Sequence, residues 1–417
     1  MGTDLIESES PVQGPAQQRS KGSRIPEVIA PVISVIVPVR NSPRELRRCL
    51  ECLAASTYPL YEVIVVDDAS TNESTEVAAA LGAVVLRLET QRGSAGARNR
   101  GAEHARGVYL LFIDADVCVR PDTLQKLHDT FENHPDLDAV FGSYDTEPSA
   151  INVLSQYKNL FHHFVHQDSR EQATTFWSGC GAVRRSVFLE MGGFSVRYKR
   201  PSIEDIELGA RLHRAGHRIM LNKRIQVTHL KRWTVWSIIK TDLLDRGIPW
   251  TELMLREGSI PNDLNVKVSQ RISVVLAYGL LIFFGIGVWY YRQLLWLPLV
   301  LLMFITAFDC WSVHYRWATA IRLLTACAGL SLLAIVGSAF GPWPLLPLAL
   351  VVGIVAVNFR FYVFFLNRGS RLMLMLLLPL HLLYYLYCGL AFAAGVVLHL
   401  WNGIKRNGEV AAECRKV

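Results

Sequence analysis

A chain of 417 residues that is 51% apolar and only 19% charged, with a mean hydropathy of +0.24, is too oily for an ordinary soluble enzyme, so part of it is expected in a membrane. The net charge of +7 is spread along the chain with no massed basic stripe, which argues against nucleic acid as a partner. The eight cysteines form no disulfide framework; Cys49 and Cys52 make a CxxC inside a helical pattern with no second pair, and reduced thiols on a cytosolic face are expected.

Residues 1–31 are rich in Ser, Gln, Pro and Gly and lack an apolar core, so they read as a disordered tail rather than a signal peptide. Val32 to Val39 (VISVIVPV) is a β-branched strand, and Asn41, Ser42 and Pro43 then start a helix over about Arg44 to Ala55. Tyr61 to Val66 (YEVIVV) is a second strand that ends in Asp67 and Asp68. A short helix, a strand near Ala83 to Leu88, a helix from about Ser94 to Ala105 and the strand at Leu110 follow in alternation. Connections of about a dozen residues or more imply a parallel sheet with helices on both faces.

The strand YLLFI, Tyr109 to Ile113, ends in Asp114 and Asp116, on the same sheet edge as Asp67 and Asp68. An Asp-x-Asp there offers hard oxygen ligands to Mg²⁺ or Mn²⁺ carrying a phosphorylated substrate, against the plainer reading of a solvated turn. Between the two pairs, Arg92 to Asn99 (RGSAGARN) is a glycine-rich turn opening a helix, and with Arg98 it suits a diphosphate. Phe176 to Phe188 (FWSGCGAVRRSVF) reads as a turn bearing Gly179 and Gly181, a short strand and a helix start. Ser202 to Leu212 opens with a Ser N-cap and with Glu204 and Asp205 in its first turn, which helix-start chemistry alone would explain. His162, His163 and His166 share one helical side with no carboxylate partner in view and read as ordinary histidines.

The series VIVPVRN, VVDDAS, RGSAGARNRGA and LFIDADV, in that order and at these spacings, resembles the nucleotide-binding half of family 2 glycosyltransferases, over about Ile33 to Trp233. The resemblance implies the GT-A nucleotide-diphospho-sugar transferase fold, an α/β fold with a Rossmann-like, mostly parallel sheet. It assigns Pro38, Arg40, Asp67 and Asp68 to the nucleotide, with Asp68 at the base. Asp116 becomes the direct metal ligand, and Asp114 is shared between the metal and the donor sugar or ribose. Gly179 and Gly181 fall in the acceptor-side loop. Asp205 becomes the base that takes the acceptor's proton, with Glu204 orienting it or touching the acceptor. Processive members such as cellulose, chitin and hyaluronan synthases carry Gln-x-x-Arg-Trp where this chain has His229-Leu-Lys-Arg-Trp233; Arg232 and Trp233 are kept as substrate contacts, and His229 replaces the Gln. An imidazole there can ligate the same metal or hydrogen-bond the diphosphate, as in non-processive enzymes, so single transfer is expected.

After Trp233 the pattern WTVWSIIKTDLLDRGIPWTELMLRE suits amphipathic helices in the membrane interface, with Trp236 and Trp250 at headgroup depth; packing on the soluble core is the alternative. Spans are expected at about Ile272–Tyr290, Leu294–Cys310, Ala320–Phe340, Leu345–Asn358 and Leu372–Leu400. Arg316, Arg322, Arg360, Arg368 and Arg371 then fall on cytoplasmic loops, whereas five spans would leave Lys405, Arg406, Arg415 and Lys416 outside, against the positive-inside bias. The expected organisation is a tail at 1–31, a GT-A catalytic domain at 32–233, interfacial helices at 234–271, about five transmembrane helices over 272–401 in an all-α domain, and a tail at 402–417.

The expected function is an inverting, Mg²⁺- or Mn²⁺-dependent hexosyltransferase that moves a sugar from a nucleoside diphosphate to a lipid or glycolipid acceptor. It would sit in the inner membrane as a multi-pass protein with its catalytic domain in the cytoplasm. A processive polysaccharide synthase and a non-catalytic membrane scaffold with a degenerate transferase domain are the alternatives.

Overall fold

The computed structural model describes residues 30–198, 200–258, 264–290 and 346–414, and the side chains of all of these but residues 286–290, 403 and 405–414. Expected spans Leu294–Cys310 and Ala320–Phe340 lie outside the described residues, as does the tail at 1–29.

The chain alternates at first as its pattern predicts: β1 (Ile33–Val39), α1 (Pro43–Ala54), β2 (Tyr61–Asp67), α2 (Ser74–Ala80), β3 (Val84–Arg87), α3 (Gly93–His104), β4 (Tyr109–Ile113). It continues with β5 (Val117–Cys118), α4 (Thr123–Asn133), β6 (Ala139–Tyr144), α5 (Val153–Gln167), β7 (Gln172–Ala173), β8 (Cys180–Arg184), α6 (Arg185–Glu190), α7 (Glu204–Arg214) and β9 (Ile219–His229). The nine strands form one sheet in the order β3-β2-β1-β4-β8-β6-β9-β5, with β7 beside β9. Period-2 alternation splits the strands between two cores. Val35 and Val37 pack with Leu46, Leu50 and Leu53 of α1 and Leu127 and Phe131 of α4 on one face. Ile36, Ile64 and Val66 pack with Ala97 and Ala102 of α3 and Leu208 and Leu212 of α7 on the other.

The expected parallel core is present, and antiparallel strands are added to it. β1, β2, β3 and β4 run parallel, as do β6 and β9, but β8 is antiparallel to both β4 and β6, and β5 to β9. Repeated βα units dictate parallel pairing only where a helix crosses over between neighbouring strands. The strand Cys180–Arg184 follows a loop instead, and its reversed direction pairs Cys180 with Ile113, which brings Gly179 to the mouth of the Asp114 turn.

Beyond β9 come α8 (Val235–Lys240), a π-helix at Thr241–Gly247, α9 (Ile248–Glu257), a 3₁₀ turn (Leu264–Val266), α10 (Val268–Tyr290), α11 (Leu346–Val357), α12 (Phe359–Arg368) and α13 (Arg371–Cys414). Among the described residues, α10 and α13 are long and apolar enough to cross a membrane. The expected fourth span is a bent pair, α11 and α12, turned by 77° at Asn358. The Asn358 amide donates back to the Ile354 carbonyl at 2.8 Å and across to Ser273 Oγ at 2.7 Å, competing with the helix ladder there. The C-terminal segment expected as a tail continues helical through Cys414.

The segment after Trp233 divides between the two readings offered for it. Trp236 is exposed, whereas Trp250, expected at headgroup depth, is buried with Leu253 and Met254 against Ile203. Trp233 is itself buried in a third cluster, which joins α5 to α10–α13.

Candidate active site

The site is built from the ends of β1 and β2, the start of α3, the turn after β4, the loop before β8, the start of α7 and the end of β9. At the first, Pro38 is half-buried and Arg40 exposed, and the backbone turns through left-handed residues Asn41 (φ 53°) and Ala69 (φ 57°). Ala gains nothing from that conformation, which costs about 1–2 kcal/mol. Hydrogen bonds over-determine it: Ser70 Oγ accepts from the Asn41 amide at 2.9 Å, and Asn41 Oδ1 accepts from the Thr71 amide at 2.9 Å.

Asp67 and Asp68 at this end are buried and fully engaged. Asp67 accepts from the Ser70 amide (3.1 Å) and Thr75 Oγ1 (2.9 Å). Asp68 accepts from the amides of Arg92 (2.6 Å) and Gly93 (2.9 Å), so the glycine-rich N-terminus of α3, expected to face a diphosphate, receives a carboxylate of the chain itself. Arg98, expected beside that diphosphate, is buried one turn into α3 and bridges Asp114 Oδ1 (2.6 Å) and Glu204 Oε1 (2.8 Å). One guanidinium thus ties the Asp114 turn to the start of α7.

After β4, β5 and β9 pair so that Val117 faces His229, and the Leu230 amide donates to the Asp116 carbonyl at 2.8 Å. This short ladder sets His229 Nε2 3.5 Å from Asp116 Oδ2. His229 is stacked on Tyr144 (ring centroids 4.4 Å, 12° between planes), and its Nδ1 lies 2.8 Å from Asn159 Oδ1. Asn159 Oδ1 can only accept, so Nδ1 carries the hydrogen and the Nε2 lone pair faces the Asp116 carboxylate. Two electron-rich atoms so placed call for a positive partner between them, a proton or a metal ion. Burial pushes the Asp116 carboxyl up, but a proton between it and His229, with Lys231 nearby, outweighs burial and leaves it below the usual range. Asp114 goes the other way: burial, with Asp116 and Glu204 nearby, raises its carboxyl despite Arg98.

At α7, Glu204 is buried and accepts from Ser94 Oγ (2.5 Å), Arg98 and the Ser202 amide (2.8 Å); burial raises its carboxyl, yet these partners hold it below the usual value. Asp205 accepts from the Ser178 amide (3.0 Å) and Ser178 Oγ (3.1 Å). Burial and the neighbouring Glu204 push its carboxyl up to about 6. The Gly179 loop carries Ser178 to it. A Cβ at Gly179 would meet the Trp177 ring at 2.4 Å, and one at Gly181 the Trp177 carbonyl at 2.3 Å, so close approach rather than turn conformation demands both glycines.

The structure therefore brings together Asp114, Asp116, His229, Arg98, Glu204, Asp205 and the Gly179 loop. It sets Trp233 apart, in the joint to the C-terminal apolar helices, where its amide donates to Ser155 Oγ and its carbonyl accepts from Asn152; Arg232 is exposed. His162 stacks on Tyr144, His163 Nδ1 lies 2.7 Å from the Tyr144 carbonyl, and His166 packs on Trp177. Burial pushes all three imidazoles down, and no trio of His, Cys, Asp or Glu in metal-binding arrangement occurs among the described residues. Sequence reasoning missed Ser178, Asn159 and Tyr144. Ser178 lay inside the glycine loop it singled out, but neither Asn159 on α5 nor Tyr144 at the end of β6 carries any periodic signal.

Residues 34–192 match the sequence family described as Glycosyl transferase family 2, so the chain carries a domain of that family. It is 28% identical over 183 residues to an uncharacterized glycosyltransferase of Haemophilus influenzae, spanning 42% of this chain and 60% of that protein. Over 216 residues it is 28% identical to the glucosyl-dolichyl phosphate glucuronosyltransferase of Haloferax volcanii, spanning 47% of this chain and 68% of that one. Among solved structures, the mannosyltransferase PcManGT of Pyrobaculum calidifontis, in complex with GDP-Man and Mn²⁺, aligns over 90% of this chain and 88% of its own at 16% identity, with a TM-score of 0.43.

Proposed function

We propose that this chain is an inverting, metal-dependent hexosyltransferase that takes its sugar from a nucleoside diphosphate and delivers it, in a single displacement, to a hydroxyl of a lipid or glycolipid at the membrane. The observation that carries the reading is Asp205, held by Ser178 with its carboxyl pushed up to about 6. A carboxylate of that basicity is ionised at neutral pH and still takes a proton as the acceptor oxygen bonds to the anomeric carbon. The bond from that carbon to the diphosphate oxygen breaks in the same step, and its electron pair leaves with the nucleotide. Attack from the face opposite the leaving group inverts the configuration.

Asp116 Oδ2 and His229 Nε2 fit a divalent cation: the lone pair that Asn159 turns toward the carboxylate is a donor set of the kind Mn²⁺ or Mg²⁺ accepts, with the donor's phosphate oxygens completing it. When bound, such an ion offsets the charge developing on the leaving diphosphate. Arg98 holds Asp114 and Glu204 at fixed positions on either side of the reacting centre, and the polar ends of β1 and β2, with Pro38, Arg40 and the Asp67–Asp68 turn, are assigned to the nucleotide. Helices α10 and α13 support an acceptor presented at a membrane, with the catalytic domain on the cytoplasmic side of the inner membrane.

The test is Asp205→Asn in purified enzyme. Turnover is expected to fall about 10²–10⁴-fold while UDP or GDP binding with Mn²⁺ stays within about twofold, read by isothermal titration calorimetry. Retained turnover sinks the assignment of the base. Labelled nucleotide sugars incubated with membranes, followed by mass spectrometry of the lipid extract, identify donor and acceptor.

A further inference from the structure

Helix α5 has two faces, and each is committed to a different part of the molecule. Tyr157, Phe161 and Phe164 share one side at helical spacing and pack on Phe361 and Phe365 of α12 and Tyr384 of α13. Asn159, His162, His163 and His166 share the other, and each meets a residue of the site or of its frame. Asn159 Oδ1 lies 2.8 Å from His229 Nδ1, and His162 stacks on Tyr144, which is itself stacked on His229. His163 Nδ1 lies 2.7 Å from the Tyr144 carbonyl, and His166 packs edge-on against Trp177, the neighbour of the Ser178 that holds Asp205. The three histidines that the sequence left as ordinary thus seat α5 on the frame of the site.

Between the two faces lies Lys158, one residue before Asn159. Its buried ammonium is ion-paired with Asp242 Oδ2 of the π-helix Thr241–Gly247 at 2.5 Å, and the same oxygen accepts from the hydroxyl of Tyr387, on α13, at 2.6 Å. A buried ion pair adds little net stability, because desolvation offsets the attraction, and its best-attested use is to fix a register. Apolar packing is non-directional and tolerates a helix that slides or turns slightly. A carboxylate oxygen held by two donors fixes both direction and distance. Asn159 shares its stretch of helix backbone with Lys158, so a shift of one moves the other. Displaced by about 1 Å, Asn159 leaves hydrogen-bond range of His229 Nδ1, and the imidazole that presents Nε2 to Asp116 loses the partner that orients it.

We propose that Lys158, Asp242 and Tyr387 are positioning residues for the divalent cation: together they set the register of α5 against α13, and through Asn159 that register aims His229. The proposal rests on the metal-dependent reading above and extends it from the site to the C-terminal apolar helices, of which α13 is long and apolar enough to cross a membrane. The seating of α13 then governs how tightly the ion is held. A competing route leaves the same π-helix for α7, where the Asp245 carbonyl accepts from Ser202 Oγ, two residues ahead of Glu204. That route bypasses Asn159, so a variant lacking the Asn159 amide separates the two.

The experiment uses the full chain in detergent and measures Mn²⁺ binding by electron paramagnetic resonance, with and without UDP or GDP, recording melting temperature and turnover beside it. Wild type is compared with Tyr387→Phe, which removes one hydroxyl and keeps the ring, with Lys158→Met, which keeps the side-chain stem, with Asn159→Ala, and with Tyr387→Phe and Asn159→Ala combined. Tyr387→Phe is expected to weaken Mn²⁺ about threefold to tenfold, less than the loss of a direct partner of a metal ligand. Lys158→Met, which leaves the Asp242 charge buried and unpaired, should weaken it further. The combined variant should bind Mn²⁺ no more weakly than Asn159→Ala alone, because a residue that acts through Asn159 has nothing left to act on. Lower melting temperatures with Mn²⁺ binding unmoved reduce the three residues to a packing joint and overturn the proposal. So do losses that multiply in the combined variant, which route the coupling through α7. Failure of the transferase reading has another signature: Mn²⁺ binding that these variants weaken, with no sugar transferred from UDP-glucose, UDP-N-acetylglucosamine or GDP-mannose, leaves the positioning role standing without that activity. A wild type that binds no Mn²⁺ overturns both.

Discussion

Carboxylates at the ends of β1–β4 and at the start of α7 stand in contrasting states. Asp67 and Asp68 are buried and saturated, the first by Ser70 and Thr75, the second by the amides of Arg92 and Gly93. Asp116 and Asp205 face charge instead: one lies 3.5 Å from His229 Nε2, and the other, though it accepts from Ser178 and the Ile206 amide, is pushed up to about 6 by burial and Glu204. Carboxylates held by loop amides fix that loop; those beside a histidine or another carboxylate retain free energy to give to a ligand or a proton. The residue type is the same, and the difference lies in which charged groups the tertiary fold sets beside each carboxylate.

Asp116→Ala should show the contrast most sharply. Turnover is expected to fall about 10²–10³-fold, as when one electrostatic stabiliser of a transition state is removed, while the free energy of unfolding in urea moves by less than about 1 kcal/mol. Asp68→Ala should do the reverse in kind. It strands the Arg92 and Gly93 amides, and a loss of about 3 kcal/mol of stability is expected from two charge-assisted hydrogen bonds. A stable Asp68→Ala variant that has lost only nucleotide affinity would break the comparison.

Asn159→Ala tests whether the histidine lone pair matters. With Nδ1 released, the Mn²⁺ concentration needed for half-maximal activity should rise about tenfold or more, with little change in melting temperature; an unchanged metal requirement would make Asn159 a packing residue. The smallest effect concerns Asp205. Because its carboxyl is raised in the folded chain, the stability it contributes is fully present below its unfolded value and is lost as pH rises through about 6. Asp205→Asn should therefore melt higher than wild type at pH 8, with the gap closing toward pH 5. For the same reason the acid limb of the wild-type kcat/KM profile should fall near pH 6.

Much of the donor-side fold is legible in the residues. The alternation of β-branched runs with amphipathic helices requires β1 through β4 to be parallel, and the position of Asp67, Asp68, Asp114 and Asp116 after apolar strands puts them on one edge whatever the rest does. The apolar excess after about residue 272 likewise marks helices long and apolar enough to cross a membrane, without reference to packing.

Other features depended on long-range pairing, which periodicity does not encode. The reversed direction of β8 carries Ser178 to Asp205, and the β5–β9 ladder carries His229 to Asp116. Arg98 looked like a phosphate ligand because its sequence neighbours are glycines, yet helix α3 turns it inward, where Asp114 and Glu204, 16 and 106 residues away in the chain, claim it. Trp233, read as a substrate contact, is buried where α5 and the C-terminal apolar helices close over it. A sequence thus determines which residues can carry charge and on which edge of a strand they emerge. Whether a given carboxylate is saturated or left reactive depends on the amides, hydroxyls and cations that distant segments bring within 3 Å or so, and only the tertiary structure decides that.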